Sequence, residues 1–315
     1  MNIQSLSIVV PTRGCINKCK FCVSRMHNNP YENYFDAIQI RKRIKFAVNN
    51  GVNTLILTGT GEALQNRPFL RKLKEVLDRE GHPFPNVEIQ TTGVMLMDYI
   101  EGNGMLPGEI FKIYENIDLL KALGVNTISL SVSDIFDSEN NWDIIGAPAK
   151  YRPSLSELCQ FIRDHHFNIR LSLNMTNVYD NKSPEQILRA CKSLGANQIT
   201  FRKLYHSDDN SEQTKWVKKN SCDEEVFYNI NQYITGDYRL DPYDPIDETI
   251  IHGDGHGTPL YRLPFGSMVY SIMGMSVAID DNCMAKGEDG KMKYVILRED
   301  GKLYCRWDDE GSLLF

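Results

Sequence analysis

Three cysteines fall close together near the start of the chain, in the run Cys15-Ile-Asn-Lys-Cys19-Lys-Phe-Cys22. A C-x3-C-x2-C spacing on a short loop lets three thiolates close on one soft metal centre, and iron–sulfur clusters take cysteine thiolates. Three protein ligands instead of four would leave one iron open to a substrate or cofactor. The alternative is structural zinc, with His27 or a distant cysteine as fourth ligand. Such sites are usually built from paired C-x2-C knuckles, and the sequence has no second knuckle. The other five cysteines, Cys159, Cys191, Cys222, Cys283 and Cys305, are scattered singly.

The elements that must carry this loop alternate along the chain. Strands are expected at Ser5–Val10, Val52–Thr58, Val87–Thr91, Thr127–Val132, Ile169–Asn174 and Ile199–Leu204. Helices are expected between them, at Tyr34–Asn50, Pro68–Arg79, Ile110–Leu123, Ser154–His166 and Pro184–Leu194. The fourth of these opens on Ser154 with Glu157 three residues on, a capping-box pattern. Strand–helix alternation with short connections implies right-handed crossovers and a parallel sheet. Six units are fewer than a closed eight-stranded barrel needs, so the expected fold class is α/β, a partial (β/α)6 barrel with function at the C-terminal ends of its strands. The cysteine loop follows the first strand, at that end.

Beyond residue 205 the rhythm breaks. His206–Ser221 reads as a polar loop or exposed turn, with a short helix expected around Asp223–Ile234. Met268–Ile279, Tyr294–Arg298 and Leu303–Trp307 read as strands, with a hairpin turn through Asp300-Gly301. The expected organisation is therefore a barrel over residues 1–205 and a C-terminal α+β extension, a cap that binds substrate, over 206–315.

Apolar residues make up 42% of the chain and charged residues 24%, which excludes a disordered chain. The net charge of −6 argues against a surface devoted to nucleic-acid phosphates. No basic segment followed by an apolar stretch opens the chain, and no apolar run is long enough to span a membrane. A cytoplasmic location is expected, where cysteines serve as free thiols, metal ligands or catalysts.

The C-x3-C-x2-C motif, with aromatic Phe21 before its last cysteine and its place after a first barrel strand, resembles the signature of the radical S-adenosylmethionine (radical SAM) superfamily. The resemblance covers roughly residues 5–205. It implies that Cys15, Cys19 and Cys22 hold a [4Fe–4S] cluster whose open iron chelates S-adenosylmethionine. It further implies that the segment Gly59-Thr60-Gly61-Glu62 after the second strand holds the methionine amino group. Thr60 departs from the family there, standing where a glycine is usual. Thr92 ends the third strand in a Thr-Thr-Gly turn similar to the family's Thr-Asn-Gly. Ser131 and Ser133 on the fourth strand and Asn174 on the fifth match positions near the cofactor's ribose or carboxylate, and Arg202 on the sixth is placed to meet a carboxylate or phosphate.

The implied chemistry is reductive cleavage of S-adenosylmethionine to a 5′-deoxyadenosyl radical, which abstracts hydrogen from a substrate. An oxygen-sensitive enzyme is implied, served by a flavodoxin- or ferredoxin-type reductant. Cys283, just beyond an apolar run, is a candidate catalytic hydrogen donor. The segment His252-Gly-Asp254-Gly-His256 is a candidate for metal or substrate, or an exposed loop. Cys283 and Cys305 alone are too few for a second cluster, which sets the chain apart from the best-known peptide maturases. A small polar metabolite or nucleotide is thus favoured as substrate, with nucleic acid and membrane disfavoured. The competing readings are a modifier of a peptide, protein or tRNA, and a metal-stabilised binding module.

Overall fold

The computed structural model describes residues 2–26, 34–96, 107–207, 209–236, 255–263, 267–280, 291–307 and 310–314. The expected alternation is present. Strands β1 (Asn2–Val10), β2 (Thr54–Gly59), β3 (Asn86–Thr91), β4 (Thr127–Val132), β5 (Asn168–Asn174) and β6 (Gln198–Arg202) pair in sequence order, all parallel. Between them run α1 (Ala37–Asn49), α2 (Arg67–Arg79), α3 (Pro107–Ala122), α4 (Ser138–Ile145), α5 (Leu155–Asp164) and α6 (Pro184–Ser193). The capping box forms: Ser154 accepts from the Glu157 amide, and Glu157 accepts from the Ser154 amide. Helix α4 is absent from the sequence expectation. Its cap is Asp137, which accepts from the amides of Glu139 and Asn140, and buried Trp142 anchors it by donating to the Pro153 carbonyl at 2.7 Å.

The C-terminal region follows with α7 (Glu212–Asn220), α8 (Glu224–Thr235), β7 (Thr258–Arg262), β8 (Met268–Ile272), β9 (Met275–Asp280), β10 (Lys291–Leu297) and β11 (Leu303–Tyr304). Two expectations are corrected. The segment read as a polar loop contains α7, capped by Ser211 and burying Gln213, Thr214 and Val217 on one side. The run read as one strand at Met268–Ile279 is a hairpin. Met273 and Gly274 both take positive φ, 52° and 73°, the geometry of a two-residue turn that reverses the chain between β8 and β9.

The later strands continue the barrel sheet. β9 pairs parallel with β6 and β10 pairs parallel with β1, so the order is β11-β10-β1-β2-β3-β4-β5-β6-β9-β8-β7. The eight central strands from β10 to β9 are parallel. The order is linear, with β11 and β7 at its ends, so the barrel is partial. Among the described residues no helix is long and apolar enough to cross a membrane.

Parallel strands buried on both faces usually read as continuous apolar runs. These alternate instead. In β5, Ile169, Leu171 and Leu173 are fully buried on the outer, helix-covered face, while Arg170 lines the interior. The same holds for Leu55 and Leu57 against Thr54 and Thr58 in β2, where the inner face also carries Ile56, and for Phe201 against Thr200 and Arg202 in β6. The interior is thus a chamber of about 970 Å³ into which many hydroxyl, amide and charged side chains reach, among apolar ones such as Val9 and Ile56. A filled barrel would carry layers of branched apolar side chains there. Across it, Arg170 pairs with buried Glu88 and donates from Nε to Gln198 Oε1 at 2.8 Å.

Candidate active site

The loop after β1 bends over the chamber mouth and is tied down on three sides. Toward β2, Ile16 N donates to Gln65 Oε1 at 2.9 Å, and Asn66 Nδ2 donates to the Pro11 carbonyl at 2.7 Å. A Cβ on Gly61 would lie 2.5 Å from Thr12 Oγ1 and 2.6 Å from the Gly14 carbonyl oxygen, so only glycine lets this turn approach the cysteine loop. Toward β3, Asn17 Nδ2 donates to Thr92 Oγ1 at 2.9 Å. Toward α4, Lys18 N and Lys20 N donate to the carbonyls of Ile145 and Ile144 at 3.1 and 3.4 Å. Gly146, with φ 66°, ends α4 so close to the loop that a Cβ would sit 2.8 Å from the Lys18 carbonyl oxygen.

None of the three loop cysteines is in a disulfide, and all reach the surface, Cys15 most openly. Desolvation by the packed loop raises the Cys15 thiol above its ordinary value, and the charges of Glu62 and Cys22 beside it raise it further. A cationic centre would reverse that effect by drawing thiolates to itself. Among the described residues no three His, Cys, Asp or Glu side chains converge as ligands of one metal ion do. Cluster ligands sit on separate irons and need no such convergence. The donor set therefore fits a cluster held by Cys15, Cys19 and Cys22. Cys159 and Cys222, pushed by burial to about 12, have no such access. Cys191 is raised by the same cause.

The Gly59–Glu62 turn abuts this loop, and its carboxylate is buried against the end of β3. Glu62 is 3% exposed and accepts from Thr91 Oγ1 at 2.7 Å and from Thr92 N and Oγ1, both at 3.2 Å. Burial raises its pKa, and the threonine donors pull it back. Asn17, Thr92 and Glu62 thus form one chain of hydrogen bonds joining the cysteine loop to β2 and β3. The turn's half-buried hydroxyl is that of Thr60, which donates to Glu299 Oε1 at 2.6 Å. Glu299 follows β10, so a residue of the C-terminal region stands at the mouth beside the position where the family's glycine is replaced.

The remaining expected residues fall into two groups. Ser131, Ser133 and Asn174 come together: Asn174 Nδ2 donates to Ser131 Oγ at 2.9 Å and to Ser133 Oγ at 3.2 Å. Ser133 and Asn174 are buried, leaving half-buried Ser131 as the group's outward member. Gly59, Thr60 and Arg202 line the chamber itself. Phe21 is held from the C-terminal side. Its carbonyl accepts from Gln213 Nε2 at 3.1 Å, and its ring lies 6.2 Å from that of Trp216. Cys283, His252 and Asp254 lie outside the described residues. His256 stacks on Tyr233 with ring centroids 4.1 Å apart. Sequence reasoning missed Asn17, Gln213, Trp216 and Glu299. Of these only Asn17 had a local signal, as a polar residue inside the cysteine run.

Comparison with known proteins bears on this arrangement. Native anSMEcpe with bound AdoMet aligns with a TM-score of 0.59 at 13% identity, covering 99% of this chain and 77% of that one. The same enzyme with AdoMet and a Kp18Cys peptide aligns with a TM-score of 0.50 at 13% identity, over 73% and 58% of the two chains. SuiB of Streptococcus suis bound to precursor peptide SuiA gives 0.46 at 18% identity, over 74% and 46%. At these identities the likeness is one of fold, and the chain spans about half the length of SuiB. A search of curated proteins found no match. A family model described as the Radical SAM superfamily matches residues 9–200, across the barrel and the cysteine loop. The chain belongs to the radical S-adenosylmethionine superfamily, whose members use a [4Fe–4S] cluster and S-adenosylmethionine.

Proposed function

We propose that this chain is a radical SAM enzyme acting on a small polar substrate held inside the barrel. The observation that carries the reading is the position of the cysteine loop, fastened over the mouth of a polar chamber beside the Gly59–Glu62 turn. Bound there, the cluster and S-adenosylmethionine supply a 5′-deoxyadenosyl radical able to abstract hydrogen from an unactivated C–H bond.

The chain's own residues hold and orient. Cys15, Cys19 and Cys22 are the cluster ligands. Glu62 and Asn17 fix the spacing between the cysteine loop and the ends of β2 and β3, and the turn at Gly59–Thr60 offers oxygens to an ammonium group. Ser131, oriented by Asn174, and Arg202 provide a hydroxyl and a cation for the ribose or carboxylate. The chamber's hydroxyls, amides and the Glu88–Arg170 pair suit a substrate rich in hydrogen-bonding groups, and about 970 Å³ is at the upper end of the range of small-molecule sites. From the C-terminal region, Glu299 through Thr60 and Gln213 through Phe21 help shape the mouth. An acidic electron carrier serves as reductant, and the working location is the cytoplasm, where the three thiols stay reduced.

Hydrogen transfer distinguishes substrate classes. Reconstituted, reduced protein is incubated with extracts of fully deuterated cells, separated by size, and the 5′-deoxyadenosine formed is examined by mass spectrometry. Deuterium arriving from the small-molecule fraction is expected. Deuterium arriving only from the peptide and macromolecular fractions would overturn the substrate reading in favour of a peptide, protein or tRNA modifier.

A further inference from the structure

The chain is acidic overall, at −6, yet the surface around its cysteine loop is basic. Lys18 and Lys20 are exposed on the loop itself, and no acidic residue lies between Cys15 and Cys22. Helix α7 packs beside that loop through Gln213 and Trp216. Away from its buried face it exposes Lys215, Lys218 and Lys219. Helical periodicity places Lys215 and Lys219 one turn apart on the side next to Trp216. The acidic groups nearby cancel part of this. Glu212 pairs with Lys215 at 3.5 Å, both side chains well exposed. Asp209 keeps its charge while accepting from the amide and hydroxyl of Ser211, and Asp143 and Glu139 on α4 share Arg152 at 2.6 and 3.6 Å. The five lysines still outnumber these carboxylates.

We propose that this basic rim, Lys18, Lys20, Lys215, Lys218 and Lys219, is the docking surface for an acidic one-electron carrier protein. The proposal rests on the radical SAM reading, which requires an electron from outside the chain. The occupant follows from charge and position. A cationic rim on an acidic protein attracts an acidic partner while the rest of the surface repels it, which orients the encounter and raises its rate by about 10–1,000-fold at low salt. The rim lies on the loop carrying the redox centre's ligands and on the helix packed against it at Phe21, so docking there brings the carrier close to that centre. One electron leaves the carrier's reduced flavin or iron–sulfur centre and arrives at the cysteine-held centre. No atom is transferred.

The test uses reconstituted holoprotein and reduced flavodoxin as the probe, with 5′-deoxyadenosine formation followed against flavodoxin concentration and salt. In the triple variant K215E/K218E/K219E, the KM for flavodoxin should rise at least tenfold and its salt dependence should flatten. The rate with dithionite, which needs no docking, should stay at the wild-type value. The neutral variant K215Q/K218Q/K219Q should fall between, and K42E/K72E/K121E, with the same charge change on α1, α2 and α3, should behave as wild type. Flavodoxin kinetics and salt dependence unchanged in both α7 variants would overturn the docking surface. So would a tRNA-binding activity that the α7 variants lose while their flavodoxin kinetics hold. Wild-type protein inactive with dithionite would instead remove the radical SAM reading beneath it.

Discussion

The two faces of the barrel sheet are built from alternate residues of the same strands and do opposite work. On the outer face Leu57, Leu130, Leu171 and Phe201 are fully buried against helices, and their packing fixes the curvature that brings the strand ends together. On the inner face Thr58, Gln90, Arg170 and Thr200 line a chamber, where a side chain can change without opening the core. The comparison teaches that stability and chemistry are interleaved at a period of two. The mouth is where they meet, because the loops there must be both rigid and reactive.

The largest expected effect falls at the mouth. Cys19→Ala should abolish the cluster's absorption and all S-adenosylmethionine cleavage, with the far-UV circular dichroism of the fold retained. Next comes the outer face: Leu171→Ala should cost about 2–5 kcal/mol in denaturant unfolding, as deletion of fully buried methyl groups does. The adjacent inner residue sharpens the contrast. Arg170→Met leaves the buried Glu88 carboxylate without its cation and should cost about 1–3 kcal/mol, discounted for the partial exposure of the arginine. Adding Glu88→Gln should recover part of that loss. An Arg170→Met variant as stable as wild type would show that the pair plays no structural part.

Smaller effects are expected where the C-terminal region reaches the mouth. Thr60→Gly and Glu299→Ala should each weaken S-adenosylmethionine binding a fewfold by equilibrium dialysis, and the double variant should bind no more weakly than the weaker-binding single variant, because both remove the same hydrogen bond. Strictly additive losses would show that Thr60 and Glu299 act separately. The smallest change is on the inner face: Ser7→Ala, at a buried hydroxyl lining the chamber, should move stability by less than about 1 kcal/mol, the scale of a single hydrogen bond.

Much of this was legible before the fold was seen. Runs such as Thr127–Val132 and Ile169–Asn174 show as strands, and the Ser154 cap shows as a helix start, because each signal is local. The same alternation also encoded the chamber, since Ser, Thr, Gln and Arg recur on the inner face, interrupted by Val9 and Ile56, where a filled parallel barrel would carry apolar residues. Other features were hidden for physical reasons. Met273 at positive φ gives no turn signal, because the hairpin is imposed by the pairing of β8 and β9 and not by its own preference. Helix α7 is too polar to show an apolar stripe, and its docking on Phe21 depends on a residue 192 positions away. The Thr60–Glu299 contact spans 239 positions and exists only because β10 returns beside β1. The Gly59–Glu62 turn stands out in the sequence by its place after β2, but the bonds that bury its carboxylate against Thr91 and Thr92 do not.

The most direct test of the central claim is anaerobic reconstitution with iron and sulfide, followed by reduction with dithionite in the presence of S-adenosylmethionine. About four irons per chain, bound only when Cys15, Cys19 and Cys22 are intact, together with 5′-deoxyadenosine and methionine as products, is the result predicted. Protein that binds zinc in place of the cluster and forms no 5′-deoxyadenosine under these conditions would contradict it.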